Sequence, residues 1–336
     1  TGVASNWTFD EYWPGATTTS HWKGIISILT EAASVKVASP VFVEANELRV
    51  RGKGLSEYKK SVNMPSPWPG GWWRLGDIVD YELASWRGAL KTASTMRKEI
   101  LTFRNDLCRA EIERGRTESP HYYVLPTSQH DVSEHDHLVE LLHQHGVEIS
   151  RLTDDMVVDG HSLSAGDLVV PLAQPYRPFV KEVMEHQRYP VRRYTPGGEI
   201  IRPYDITSWS LPLHLGVAAI EVETRSEPLE GALERFVVED VAVQPVESGW
   251  GVALDPRDNG SFRAVFAALE SGNEVSRAPE GLTVGETALP AGAFVIEHPR
   301  AEIFEDLPRT RVLPLEDRPD AELVEIRTPR VALIET

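Results

Sequence analysis

Between Gly24 and Thr30 the residues Ile25, Ile26, Ile28 and Leu29 form an almost unbroken aliphatic run. That is the pattern of a strand covered on both faces. Sheets of such strands build their sites beyond the strands' carboxyl ends, and Glu31 stands at this end, followed by the small residues Ala32, Ala33 and Ser34. Val35 to Glu44 reads as a loop and a short extended segment, followed by a polar insertion to about Met64. Pro65 to Trp73 combines three prolines with two adjacent glycines, which predicts no regular structure. Its tryptophans suit a hydrophobic plug better than a substrate rim. From Asp77 onward Val79, Leu83, Trp86, Leu90, Ala93, Met96, Ile100, Phe103 and Leu107 fall at steps of three and four. This predicts one long helix with a continuous apolar stripe that needs a sheet or another helix to cover it. Gly88 is a point where it would kink, Gly115 would close it, and Pro120 prevents its continuation.

Residues 121–330 contain an internal repeat. One copy reads HYYVLPTSQHD, HLVELLHQHG, VEISRL, GHSLSAGDLVVPL and YRPFVKEVM. The other reads WGVALDPRDNG, FRAVFAALESG, NEVSRA, GETALPAGAFVIE and AEIFEDL. Gly146 matches Gly272, and Ala165-Gly166 matches Ala291-Gly292. The unit is strand, helix, strand, turn, strand, helix. Alternating strands and helices predict an α/β class with a parallel sheet. The final run Arg330 to Ile334 looks like the opening strand of a further unit.

The chain has 336 residues, 41% hydrophobic, enough for two or three units with their own cores. Acids outnumber bases 51 to 34, a net charge of −17. That balance argues against nucleic acid or an anionic membrane as partner, and no apolar run approaches the length of a membrane span. The one cysteine, Cys108, excludes an internal disulfide and a thiolate metal site. No Gly-x-Ser-x-Gly elbow and no Walker lysine motif occurs.

Asn6 to Gly24, rich in aromatics and hydroxyls, leads into the Ile25–Glu31 run, and Pro67 to Glu82 reads PWPGGWWRLGDIVDYE. Over residues 6–118 the chain resembles the end of the catalytic domain in bacterial zinc metallocarboxypeptidases, the carboxypeptidase A-like family. The resemblance implies a mixed sheet with helices in residues 1–118. It implies that Glu31 is the general base beside a metal-activated water, and it gives Tyr12 as the tyrosine that caps the substrate. In that family the zinc ligands, a His-x-x-Glu pair and a later histidine, lie N-terminal to this strand, so none is expected here. The implied partners are a peptide substrate and the remainder of the catalytic domain. Zinc is expected in a full-length parent, no cofactor in this chain, and no activity from this chain alone. The implied location is extracellular or periplasmic. Residues 119–215 and 216–336 would be accessory repeat units, read as flavodoxin/amidotransferase-like, the second running into the start of a further unit. The alternative is a non-catalytic α/β binding or assembly module.

A rival site is the histidine group His130, His135, His137, His143 and His145. His137-Leu138-Val139-Glu140 fits a His-x-x-Glu ligand pair. Its setting is an amphipathic helix whose solvated polar face accounts for the same residues, and the pair lies after Glu31 rather than before it. Arg192, Arg193 and Arg202 flank the Gly197-Gly198 turn as an anion-binding alternative to ordinary surface arginines.

Overall fold

The computed structural model describes residues 19–28, 30, 32, 38–49, 57–61, 64–186, 188, 191, 193–200, 208–237, 249–304, 307 and 310–329. The chain forms two compact units, one of residues 1–111 with 187–209, the other of residues 112–186 with 210–336. The class is mixed α and β, with seven α-helices among the described residues.

In the first unit Ile25, Ile26 and Ile28 lie outside any strand, and Ile28 is 75% exposed. The buried strand predicted there is therefore corrected: an aliphatic run becomes a strand only where neighbouring strands take up its backbone groups. Gly71-Trp72-Trp73, predicted as irregular, is a short strand. β1 (Val41–Val43) pairs antiparallel with β2 (Gly71–Trp73). The aromatics pack on one another around it, Trp68 with Trp73 at 5.6 Å and Phe42 with Trp72 at 5.4 Å between ring centroids.

The predicted long helix is two: α1 (Leu75–Thr95) and α2 (Arg97–Thr117). The break falls at Met96 (φ −108°, ψ 24°) rather than at Gly88. No residue of α1 is buried: Trp86 is 69% and Leu90 59% exposed. Gly115 lies inside α2 instead of ending it. A methyl placed there would stand 2.0 Å from the carbonyl oxygen of Leu172, so the glycine is a close-packing point between helix and sheet.

The second unit holds two five-stranded sheets. The first begins with β3 (Tyr122–Leu125), α3 (Val132–Gln144) and β4 (Ser150–Leu152). A hairpin of β5 (Met156–Val158) and β6 (His161–Leu163) follows, then β7 (Leu168–Pro171) and α4 (Arg177–Met184). Further along the chain come α5 (Leu211–Leu215), β8 (Ile220–Val222), α6 (Glu227–Gly231) and β9 (Leu233–Arg235). The strand order is β8-β3-β7-β4-β9. The second sheet is built from β10 (Gly251–Leu254), α7 (Asn259–Glu270), β11 (Val275–Ala278), the hairpin β12 (Leu282–Val284) and β13 (Thr287–Leu289), β14 (Ala293–Glu297), β15 (Val312–Leu315) and β16 (Val324–Glu325). Its order is β15-β10-β14-β11-β16, the same order taken strand for strand.

The predicted parallel sheets do not form. Every pairing in both sheets is antiparallel. Because β7 runs antiparallel to both β3 and β4, these two are parallel to each other, as a strand–helix–strand crossover requires. The crossover leaves a gap one strand wide that the later strand fills, a split βαβ unit. This arrangement is not flavodoxin-like, where the crossover strands are direct neighbours. The first half also runs past residue 215, since β8 and β9 pair with β3 and β4.

Equivalent turns repeat in both halves. Gly146 and Gly272 each have φ +79° after their helices, and Val147 N–H and Asn273 N–H donate back to Leu142 O and Ala268 O, the six-to-one bond of a Schellman cap. Gly166 N–H donates to Leu152 O and Gly292 N–H to Ala278 O, both at 2.7 Å. In the second half Val252, Leu254, Phe294 and Ile296 pack with Ala264, Val265 and Ala268 of α7. Ala253, Ala293 and Val295, pointing the other way, pack with Leu282 and Leu289 of the hairpin. The second sheet therefore has two apolar faces. Residues 330–336, predicted to begin another unit, lie outside the described residues.

The two helical glycines make a paired prediction. Gly88→Ala, in an exposed helix with open space around it, should slow amide exchange in α1, a gain of about 1 kcal/mol in local helix stability. Gly115→Ala should cost about 1–3 kcal/mol in urea unfolding, because backbone rather than a movable side chain stands in the way.

Candidate functional site

Glu31 and Tyr12, the two site residues implied by the resemblance, both lie outside the described residues, as do Arg192 and Arg202. Next to Glu31, the Thr30 hydroxyl donates to Glu82 on α1 at 2.7 Å. Nearby, His21 Nε2 stands 2.6 Å from Ser27 Oγ and 2.8 Å from Ser27 O, and the Ser20 hydroxyl donates to Ser27 Oγ at 2.8 Å. The contact with the carbonyl oxygen uses a hydrogen on Nε2, and the contact with Oγ serves either tautomer.

His137 is exposed on α3 and Glu140 accepts a bond from Gln144 at 3.1 Å. No group of three or more histidine, cysteine, aspartate or glutamate side chains is placed to hold a metal ion among the described residues. Arg193 donates to the Gly198 carbonyl at 2.6 Å, spanning the glycine turn.

Two polar constellations went unread in the sequence. The first joins the N-termini of α3 and α7. Asp131, buried, caps its own helix by accepting from Glu134 N–H at 3.0 Å, and its other oxygen accepts from Asn259 N–H at the start of α7, also at 3.0 Å. Asp258, equally buried, accepts from Gly260 N–H at 2.8 Å in its own helix and from the Ser133 hydroxyl in α3. Asn259 Nδ2 completes the exchange by donating to Glu134 at 3.1 Å. Each helix thus caps itself and the other. Burial pushes the Asp258 carboxyl above its ordinary value, and the charge of Asp131 adds to this, while the Ser133 and Gly260 bonds pull back. The sequence signal was an aspartate just before each apolar helix pattern, followed at Glu134 by an acid three residues on; no local signal tells that the two caps meet.

The second is a cavity of about 270 Å³ beside the edge of the first sheet, lined by Tyr123, Met184, His186, Pro212, Val217, Glu221 and their neighbours. Tyr122 and Tyr123 point to opposite faces of β3. The Tyr122 hydroxyl donates to Glu230 at 2.8 Å. The Tyr123 hydroxyl is buried and has no hydrogen-bond partner among the described residues. Glu221 sits directly across the β3–β8 pairing from Tyr123. Burial pushes the Tyr123 phenol far up, with the charges of Glu221 and Glu185 adding to it and Arg177 opposing, so the side chain is a neutral hydroxyl at every physiological pH.

The shared caps yield a prediction with a definite sign. A carboxyl whose folded pKa is raised makes its ionised form unfavourable in the fold. That penalty is present at neutral pH and relieved as pH falls through the raised value. Asp258→Asn keeps an oxygen for Ser133 and Gly260 but carries no charge. Its unfolding free energy at pH 7 should equal or exceed the parent's, with a flatter dependence between neutral and mildly acid pH. Asp258→Ala should lose about 1–2 kcal/mol. Urea unfolding at several pH values checks both, and equal losses in the two variants would show that the charge itself is needed.

No protein-family model, curated protein or solved structure matches the chain.

Proposed function

We propose that the chain is the C-terminal part of a zinc-dependent carboxypeptidase, an exported enzyme that hydrolyses C-terminal peptide or amide bonds. In this reading residues 1–118 complete a catalytic domain whose preceding part supplies the zinc, its ligands and the groups that grip the substrate's terminal carboxylate. Glu31 acts as the general base, accepting a proton from the attacking water and passing it to the leaving amine. Tyr12 closes over the substrate. The chemistry that zinc supplies is polarisation of the scissile carbonyl and of the water; this chain contributes the proton acceptor. Residues 119–336 are an accessory module made by duplication of one split βαβ unit, supported by the common strand order and the matched glycine turns.

The observation that carries the reading is the surface of α1 and α2. Val79, Leu83, Trp86 and Leu90 are exposed along one stripe of α1 and Phe103 is exposed on α2, and such a stripe is ordinarily the face a helix buries against a sheet. In this reading the exposed Ile25, Ile26 and Ile28 run, which forms no strand by itself, is the segment that pairs when neighbouring strands are supplied. The second reading, a binding or assembly module, is favoured by the second unit, which has complete cores and a cavity of its own. The two readings diverge in the protein that carries this chain together with a complete catalytic domain. There Glu31→Gln should abolish peptide hydrolysis with zinc content unchanged, because the amide keeps the shape and cannot accept the proton. Turnover near that of the parent protein would remove Glu31 from the mechanism and leave the module reading.

A further inference from the structure

The Tyr123 cavity combines three features that a packed core avoids. Its floor holds Tyr123, 2% exposed, whose buried hydroxyl has no hydrogen-bond partner among the described residues. Its polar side holds a carboxylate, Glu221, that makes no ion pair among the described residues, whereas nearby Glu185 is tied to Lys181 at 2.5 Å. Arg177, the cation nearest in effect, is engaged by Glu118 at 3.5 Å. The remaining walls are mostly apolar, with Met184, Pro212 and Val217 among them, and include His186 and Ser210. An apolar chamber with a few converging polar groups is the usual form of a small-molecule site.

We infer that this cavity binds a small amine with an apolar body, its ammonium between the Glu221 carboxylate and the Tyr123 oxygen and its hydrocarbon part against Met184, Pro212 and Val217. The sign of the ligand follows from the local field. Glu221, the unpaired carboxylate, acts on the Tyr123 phenol in the sense of negative potential and more strongly than Arg177 acts against it. A cation is therefore favoured where an anion would be repelled, and a neutral phenol accepts from an ammonium through its oxygen lone pairs. The size of the chamber, about 270 Å³, restricts the occupant to a small molecule rather than a folded partner. Since Glu221 lies on β8, an edge strand of the sheet, the ammonium can enter from the solvent side. This inference is independent of the peptidase reading: the cavity lies wholly within the second unit and uses no residue of the first 118.

The test is titration of the 336-residue chain with 2-phenylethylammonium, and separately with 2-phenylethanol and 3-phenylpropionate as neutral and anionic counterparts, read by calorimetry. The amine alone should saturate at millimolar concentration or below. Glu221→Gln should weaken it about tenfold and bring amine and alcohol to similar affinity. Tyr123→Phe should weaken the amine by a smaller factor while raising the melting temperature of the ligand-free chain, since it removes an unpaired buried hydroxyl. That melt also shows that the variant folds. Equal binding of amine and alcohol by the parent chain, preference for the propionate, absence of saturation, or amine binding unchanged in Glu221→Gln would each overturn the assignment.

Discussion

The central strand of each sheet is the constraint on which the second unit is built. A helix that carries the chain from one strand to a parallel one must pass over the sheet, and here it leaves a space exactly one strand wide. β7 and β14 fill that space running the opposite way, so each pairs on both edges with strands of the same direction. Everything else follows from that placement. The hairpin preceding the central strand is left outside the sheet and folds over the face opposite the helix, as Leu282 and Leu289 do in the second half. The outer strands β8, β9, β15 and β16 then have fixed edges to pair with.

Much of this architecture can be read from side-chain pattern. The apolar runs at Tyr122–Leu125 and Gly251–Leu254, the helix stripes after Asp131 and Asp258, and the glycines at 146, 166, 272 and 292 each specify a local conformation. Strand direction is not local. Val169 and Val295 read as buried strand whichever neighbour they receive, and only the two edges they join decide between parallel and antiparallel pairing. The same limit explains Gly115, whose role depends on the backbone of Leu172 more than fifty residues away, and the break at Met96, where an apolar residue continues the stripe although the backbone leaves the helix. At Ile25–Leu29 composition names a strand, but a strand is a relation between segments.

The candidate sites divide along the same line. Glu31 and the His137–Glu140 spacing are legible because they are sequence-local, and for the second the structure offers a helix face with no further metal ligands grouped beside it among the described residues. Asp131 with Ser133, and Asp258 with Asn259, lie about 125 residues apart in the chain and meet only because two similar units place their helix N-termini together. Two orphan sets of backbone N–H groups are satisfied there by side chains that serve both helices. Tyr123, Glu221 and His186 likewise belong to three separate segments gathered at one sheet edge.

The chain leaves the second unit after His186 and returns to it at Ser210. During synthesis from the ribosome, β3, α3, β4 and β7 emerge first, yet both outer strands of their sheet come later, at residues 220–222 and 233–235. The nascent first half therefore waits with its sheet edges unpaired while the intervening segment is made. A protease cut or a translational stop between residues 187 and 209 would leave a sheet lacking both borders, and the two open edges would be sites for pairing with other nascent chains.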